Sequence, residues 1–468
     1  MKRTATLAPH RIERALPSAT AQVGTAAQMR RGRKPSALVP LFIFSLALPF
    51  FFFIGPTRMS PYRLVLVVMF LPCLMAWLSG SLGRPRLPDI LMLLTATWGG
   101  LVLVSIHGTD KGLQSAGIFI IETFGAYLLA RRYIRDVAAF QQMARYLALM
   151  VIVLLPFAVY ENVTGSAILI ELFGKMFSVY DVVGDESRLG LRRAQGPFEH
   201  FILFGVVCSS AFGLSYYAYG AASRFRGKLA SGLVAMAVFS SLSSGALLSV
   251  AVQVILVVWD KITASMARRW AIFAAILITA FVIVDFASNR TPFEVFISYL
   301  TFNADTSYMR VLIWHYGTES VMLHPILGHG LNDWERPTWM GGSIDNFWLV
   351  NAVRYGIPGC LFMIGSFIAL CLGLGRLKRL SVQAAQCRKG LIITLCGLAL
   401  SLCTVHVWDA PYVLIMFLLG AGGWMYESNN EAPVAASAAQ NAHRHRGTHA
   451  AAMAKPFHGR GMRSPRTS

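Results

Sequence analysis

Between residues 37 and 426 the chain repeats one pattern: a continuous apolar block, a short polar or basic connection, then another apolar block. Many blocks reach the roughly 20 residues that a helix needs to cross a bilayer. Backbone polar groups cannot stay unpaired in lipid, so such blocks must be helices or strands of a closed barrel. The apolar residues run continuously instead of alternating, which excludes the barrel. Only 14% of residues are charged and 55% are hydrophobic, whereas a soluble domain carries about a quarter charged residues. The pattern predicts an all-α integral membrane protein of about twelve transmembrane helices. They are placed near 37–55, 64–80, 89–106, 113–130, 146–162, 200–219, 229–243, 245–260, 269–286, 347–375, 390–407 and 411–426.

The formal charge of +20 suggests nucleic acid until it is mapped. Of the 42 lysines and arginines, 31 fall in alternate segments: both tails and five short loops. That is the positive-inside distribution. It places both termini in the cytoplasm, lets the basic excess touch anionic lipid heads, and leaves no role for nucleic acid. The acidic residues invert the pattern, with 15 of 22 outside. The seven cysteines avoid the large outer loops and show no CxxC spacing, so they read as small apolar residues.

The tails, 1–36 and 427–468, are polar and basic and read as disordered. The run 229–260 is interrupted by Ser240-Ser241-Leu242-Ser243-Ser244-Gly245. Basic loops on both sides must face the cytoplasm, which predicts two short helices with a break. Two outer loops are long, 163–199 and 287–345, and long loops in a compact protein are usually functional or disordered. No internal repeat is found, which weakens an inverted-repeat transporter reading.

The second long loop is the most informative stretch. It reads Ser307-Tyr308-Met309-Arg310-Val311-Leu312-Ile313-Trp314-His315, then His324-Pro325-Ile326-Leu327-Gly328-His329-Gly330, and ends Ser343-Ile344-Asp345-Asn346-Phe347-Trp348 before Arg354-Tyr355-Gly356-Ile357-Pro358-Gly359. Residues 308–323 suit an amphipathic helix on the outer face, and Asp345 with Asn346 suits a helix N-cap. An Arg-x-x-x-Trp helix, a Pro-x-x-Gly-x-Gly turn and a polar-Asn pair opening a helix with Gly-x-x-Gly follow in order over about 190–375. In this the chain resembles the O-antigen ligase and polymerase superfamily of membrane glycosyltransferases. Two departures, Asp345 where many ligases carry His and Ser243-Ser244-Gly245 where members often have Ser-Arg-Gly, favour a polymerase-like branch.

The resemblance implies a GT-C-like helical fold and a donor glycan linked through pyrophosphate to a polyprenol. A departing pyrophosphate needs cations, and arginine supplies bidentate contacts without losing charge. The acceptor hydroxyl needs a carboxylate or imidazole within reach. The first loop ends Arg188-Leu189-Gly190-Leu191-Arg192-Arg193. Arg193 fits the family's arginine best, Arg310 lies in the matched helix, and Arg192 is the third pyrophosphate candidate. Salt bridges to neighbouring acids are the plainer reading of each. Asp345 is the candidate base, with a simple N-cap as the alternative. His324 and His329 flank the turn and are further base candidates or structural loop residues. Glu122, mid-span, is functional by default or a packing residue paired with a threonine. Arg290 and Arg354 at span ends read as snorkelling.

The sequence therefore predicts a bacterial inner-membrane glycosyltransferase that polymerises polyprenyl-pyrophosphate-linked repeat units on the outer face. No metal or other cofactor is expected; the partners are the lipid-linked glycan, membrane lipids and other polysaccharide-assembly proteins. The rivals are a ligase that moves a finished glycan to a lipid or protein acceptor, and a flippase of the lipid-linked unit.

Overall fold

A computed structural model describes residues 36–184, 187–220, 223–292, 294–295 and 304–428, and the helical unit begins at Leu38. Apart from 36, 427 and 428, both basic tails lie outside the described residues. Seven described stretches are long and apolar enough to cross a membrane: Pro61–Leu78, Leu87–Tyr133, Val137–Thr164, Phe201–Tyr219, Ser244–Ile262, Arg269–Ala287 and Phe347–Gly375. The architecture is a multi-pass, all-α membrane protein.

Seven such stretches do not confirm the twelve expected spans, and four of the five differences have a local cause; the fifth, Arg224–Ser240, is a helix of 17 residues. The expected span 37–55 is helical only over Leu38–Ser45. The phenylalanine run after it is a strand, Phe50–Ile54, paired antiparallel with Thr57–Met59 and with Ser178–Val179 of the first long loop. Two expected spans merge in Leu87–Tyr133, which folds back at Gly108 (φ 74°) so that Leu87–His107 packs on Leu113–Ile120. Val382–Ser401 carries Arg388 and Lys389 in its first half, and Asp409–Gly420 has only 12 residues.

The interrupted run near 229–260 is two helices, Arg224–Ser240 and Ser244–Ile262. Leu242 takes a left-handed φ of 46° at the break, a conformation a leucine rarely adopts. Phe201–Tyr219 lies at the centre, 89% of it buried, so the loops at its N-terminal end sit over the middle of the bundle.

The long loops gather at one end with the Phe50–Met59 hairpin and the 402–408 connection. Leu331 donates its N–H to His107 Nε2 at 2.8 Å, Phe347 donates to the carbonyls of Leu402 and Val405, and Trp408 Nε1 donates to Glu199 at 2.8 Å. Short basic connections occupy the other end, where Asp260 pairs with Arg269 and Lys389.

Candidate active site at the loop-rich end

A helix that stops leaves its last carbonyls without intrahelical donors. At the end of Arg224–Ser240 these carbonyls recruit the first long loop. Ser240 O accepts from the Ala194 N–H at 3.0 Å and from Asn162 Nδ2 at 2.8 Å. Ser241 O accepts from Arg193 Nε at 3.5 Å, and Leu242 O accepts from Arg188 Nη1 at 2.8 Å. Two guanidiniums thus sit at a helix C-terminus, where the backbone dipole favours cations. The Arg193 guanidinium also lies 3.3 Å over the Phe201 ring, a cation–π contact at the head of the central helix.

The turn that follows is held from below. Glu161, 2% exposed, accepts from the N–H groups of Gln195 at 3.1 Å and Gly196 at 3.0 Å. Gly196 has φ 56° and faces the Phe204 ring, so both conformation and space suit glycine. Arg192 is engaged differently from its neighbour. Its guanidinium donates to the carbonyls of Gly165 and Val183, and its own carbonyl accepts from Asn162. Arg192 ties the loop to the end of Val137–Thr164.

The helix Ala304–Leu323 brings Arg310 to this region. Arg310 is 7% exposed, and its Nε and Nη1 find no hydrogen-bond partner among the described residues. Burial lowers its pKa; the Asp345 carboxylate opposes that shift and the Arg188 guanidinium adds to it. Asp345 and Arg188 are therefore each near enough to act on Arg310. A buried guanidinium without a hydrogen-bonded anion is unfavourable, so the site is one that an added anion would relieve.

Asp345 does not cap the following helix. Asn346 does, accepting from the Leu349 N–H at 3.1 Å. Asp345, half-buried, accepts from Ser343 Oγ at 3.0 Å, and its charge acts on Arg310.

The Pro-x-x-Gly-x-Gly turn and the glycine-bearing helix form one joint. Phe347–Gly375 breaks at Gly356, φ 69°, which frees carbonyls of the preceding turn. His329 and Gly330 donate their N–H groups to the carbonyls of Val353 and Arg354 at 2.7 and 3.0 Å, and Ile357 N donates to Pro325 O at 2.8 Å. His329 is buried and its Nε2 meets Ser320 Oγ at 3.0 Å. His324 is exposed, its ring 4.6 Å from that of His329.

Five residues of this end were not singled out in the sequence: Arg58, Arg63, Glu199, His406 and Asp409. Arg58 pairs with Asp409. Arg63 reaches Asp409 at 3.4 Å and Glu122 at 2.7 Å, so Glu122 is paired with an arginine and not with its neighbour Thr123, which meets Tyr412 at 2.6 Å. Glu122, Arg354, His406 and Asp409 line a cavity of about 250 Å³. Burial, reinforced by Arg354, lowers the His406 pKa to about 3. The signal for this group was available: Arg58 and Arg63 fall between the first two expected spans, on the side where the positive-inside rule predicts few cations, as Arg193 does.

Residues 229–364 match the O-antigen ligase family. The resemblance to the O-antigen ligase and polymerase superfamily is thereby borne out. The matched segment spans the Ser240–Ser244 break, Arg310, His324, His329, Asp345 and the Gly356 joint. Arg188, Arg192 and Arg193 precede it, and His406 and Asp409 follow it. An O-antigen ligase-type segment in a multi-pass protein supports an enzyme of the glycosyltransferase kind that acts on lipid-linked glycans. No curated protein matches the chain significantly.

Proposed function

We propose that the protein is a polymerase of the bacterial inner membrane, joining polyprenyl-pyrophosphate-linked repeat units into a surface polysaccharide on the outer face. The observation that carries this reading is Arg310: a buried guanidinium with two unsatisfied donors, beside a second arginine and a carboxylate. A pyrophosphate would satisfy those donors and balance the two positive charges.

In this reading Arg310, Arg188 and Arg193 hold the pyrophosphate, and Arg192 shapes the loop that presents Arg193. Asp345 takes the proton from the acceptor hydroxyl. The hydroxyl oxygen forms a bond to the anomeric carbon, the bond from that carbon to the phosphate oxygen breaks, and the polyprenyl pyrophosphate leaves with the electron pair. Guanidinium charge stabilises the leaving group directly. His324 and His329 remain secondary base candidates. Asp345 in place of a ligase-type histidine, and Ser244 in place of arginine, support polymerisation over ligation.

The test is the glycan of a deletion strain. Single lipid-linked repeats are expected, and restoration by wild type but not by Arg310→Ala. Intact, unattached chains would replace the polymerase reading with a ligase.

A further inference from the structure

The outer loop holds a second cavity, separate from Arg310 and Asp345. It is a cleft of about 590 Å³ between the last two turns of Ala304–Leu323 and the segment 333–340. Its walls include Tyr316, Glu319, Ser320, Trp334, Glu335 and Thr338. The cleft is built, not incidental. Ser320 Oγ accepts from the Glu335 N–H at 3.2 Å and meets His329 at 3.0 Å. Trp334 is 6% exposed and donates Nε1 to Gly342 O at 2.9 Å. The exposed Trp339 ring lies 6.4 Å from Tyr316 at the rim.

Its chemistry is that of a saccharide site. Carboxylates accept strong hydrogen bonds from hydroxyl pairs, and aromatic rings pack against the apolar faces of sugar rings while their polar edges stay wet. The sign of the charge selects further. Arg336 is paired with Asp333 and lies 5.4 Å over Trp334; Glu319 has the exposed imidazole of His315 at 3.4 Å, and among the described residues no arginine or lysine of the cleft pairs with Glu319 or Glu335. Ser320 stands ten residues beyond Arg310 on one helix, about 15 Å along its axis. That separation fits an oligosaccharide reaching from the pyrophosphate, not a single sugar.

We infer that this cleft binds the glycan of the substrate at sugars remote from the reacting carbon, and that it takes neutral or amino sugars and disfavours uronate-rich chains. The inference rests on the function proposed above, but the two fail separately.

The experiment uses the full-length protein in lipid nanodiscs. The probes are oligosaccharides from partial hydrolysis of the host strain's own surface polysaccharide, followed by saturation-transfer NMR. Wild type and Arg310→Ala should bind equally. Tyr316→Ala and the double variant Glu319→Gln/Glu335→Gln should bind about tenfold more weakly or worse, the first through loss of packing against a sugar face and the second through loss of charge-assisted hydrogen bonds. In cells the cleft variants should make shorter chains, whereas Arg310→Ala makes none. Stronger binding of fragments longer than one repeat identifies the growing chain as occupant; equal binding identifies the incoming unit. Unchanged binding in the cleft variants, binding lost in Arg310→Ala alone, or better competition by oligolysine than by unlabelled saccharide would overturn the assignment.

Discussion

Gly356 and Ile326 leave no room for a side chain between them: a Cβ on Gly356 would lie 2.0 Å from the Ile326 carbonyl oxygen. Gly356 also holds φ at 69°, a conformation that strains other residues by about 1–3 kcal/mol. Gly356→Ala should therefore separate the 325–330 turn from the broken helix. The expected result is a lower unfolding temperature in detergent together with lost polymer. A variant with wild-type stability and activity would show that the turn tolerates displacement.

Removing Arg310 should move stability and activity in opposite directions. A buried cation without hydrogen-bonded partners destabilises the unliganded protein, so Arg310→Met should match or exceed wild type in thermal stability while making no polymer. Arg310→Lys should rescue poorly, because a point charge does not reproduce the guanidinium fork. Full activity in the lysine variant would reduce the site to a requirement for charge alone.

Asp345 and Asn346 can be separated experimentally because only one of them caps the helix. Asn346→Ala should cost about 0.5–2 kcal/mol of stability through loss of the cap. Asp345→Asn should leave stability near wild type and abolish polymer, and Asp345→His should retain part of the activity, since a placed imidazole also accepts a proton near neutral pH. Equal activity of wild type, Asn and Ala at 345 would transfer the role of base to His324 or His329.

The positive-inside distribution predicts which loops face outward. Cysteines placed at 182 and 335, both at exposed positions, should react with an impermeant maleimide from outside, and cysteines at 135 and 383 should not, in a background lacking the native seven. Labelling at 335 from inside only would place the family segment's loop away from the lipid-linked donor and remove the proposed function.

His406 makes stability depend on pH. Its folded pKa, about 3, lies below the usual histidine value of roughly 6.5, so the unfolded chain takes up the proton first. Stability should be full above roughly 6.5 and fall progressively toward 3 as the pH drops. His406→Gln should flatten the unfolding-temperature profile across that window. An unchanged profile would mean that acid destabilisation arises elsewhere.

The sequence by itself determined the class of fold, because unbroken apolar blocks admit only helices in lipid. It also determined the break near 240–245, since charge on both flanks demanded it, and the order of motifs that carries the family resemblance. Against its twelve expected spans stand seven described stretches long and apolar enough to cross, and the two part most where apolar composition did not decide conformation. The Phe50–Ile54 run is a strand because the hairpin and Ser178–Val179 pair with it, and no local signal names a partner more than a hundred residues away. The roles within the site were likewise decided by tertiary structure. Arg192 and Arg193 are neighbours of one type, yet one holds the Gly165 and Val183 carbonyls and the other reaches the Ser241 carbonyl at the helix break while lying over Phe201. Asp345 and Asn346 both suit a cap, and Asn346 takes it where the Phe347 N–H is given to the Leu402 and Val405 carbonyls. Residue type and spacing state which chemistry is available, but which donors a carbonyl captures and which charge stays buried without a partner depend on segments that meet only after the chain has folded.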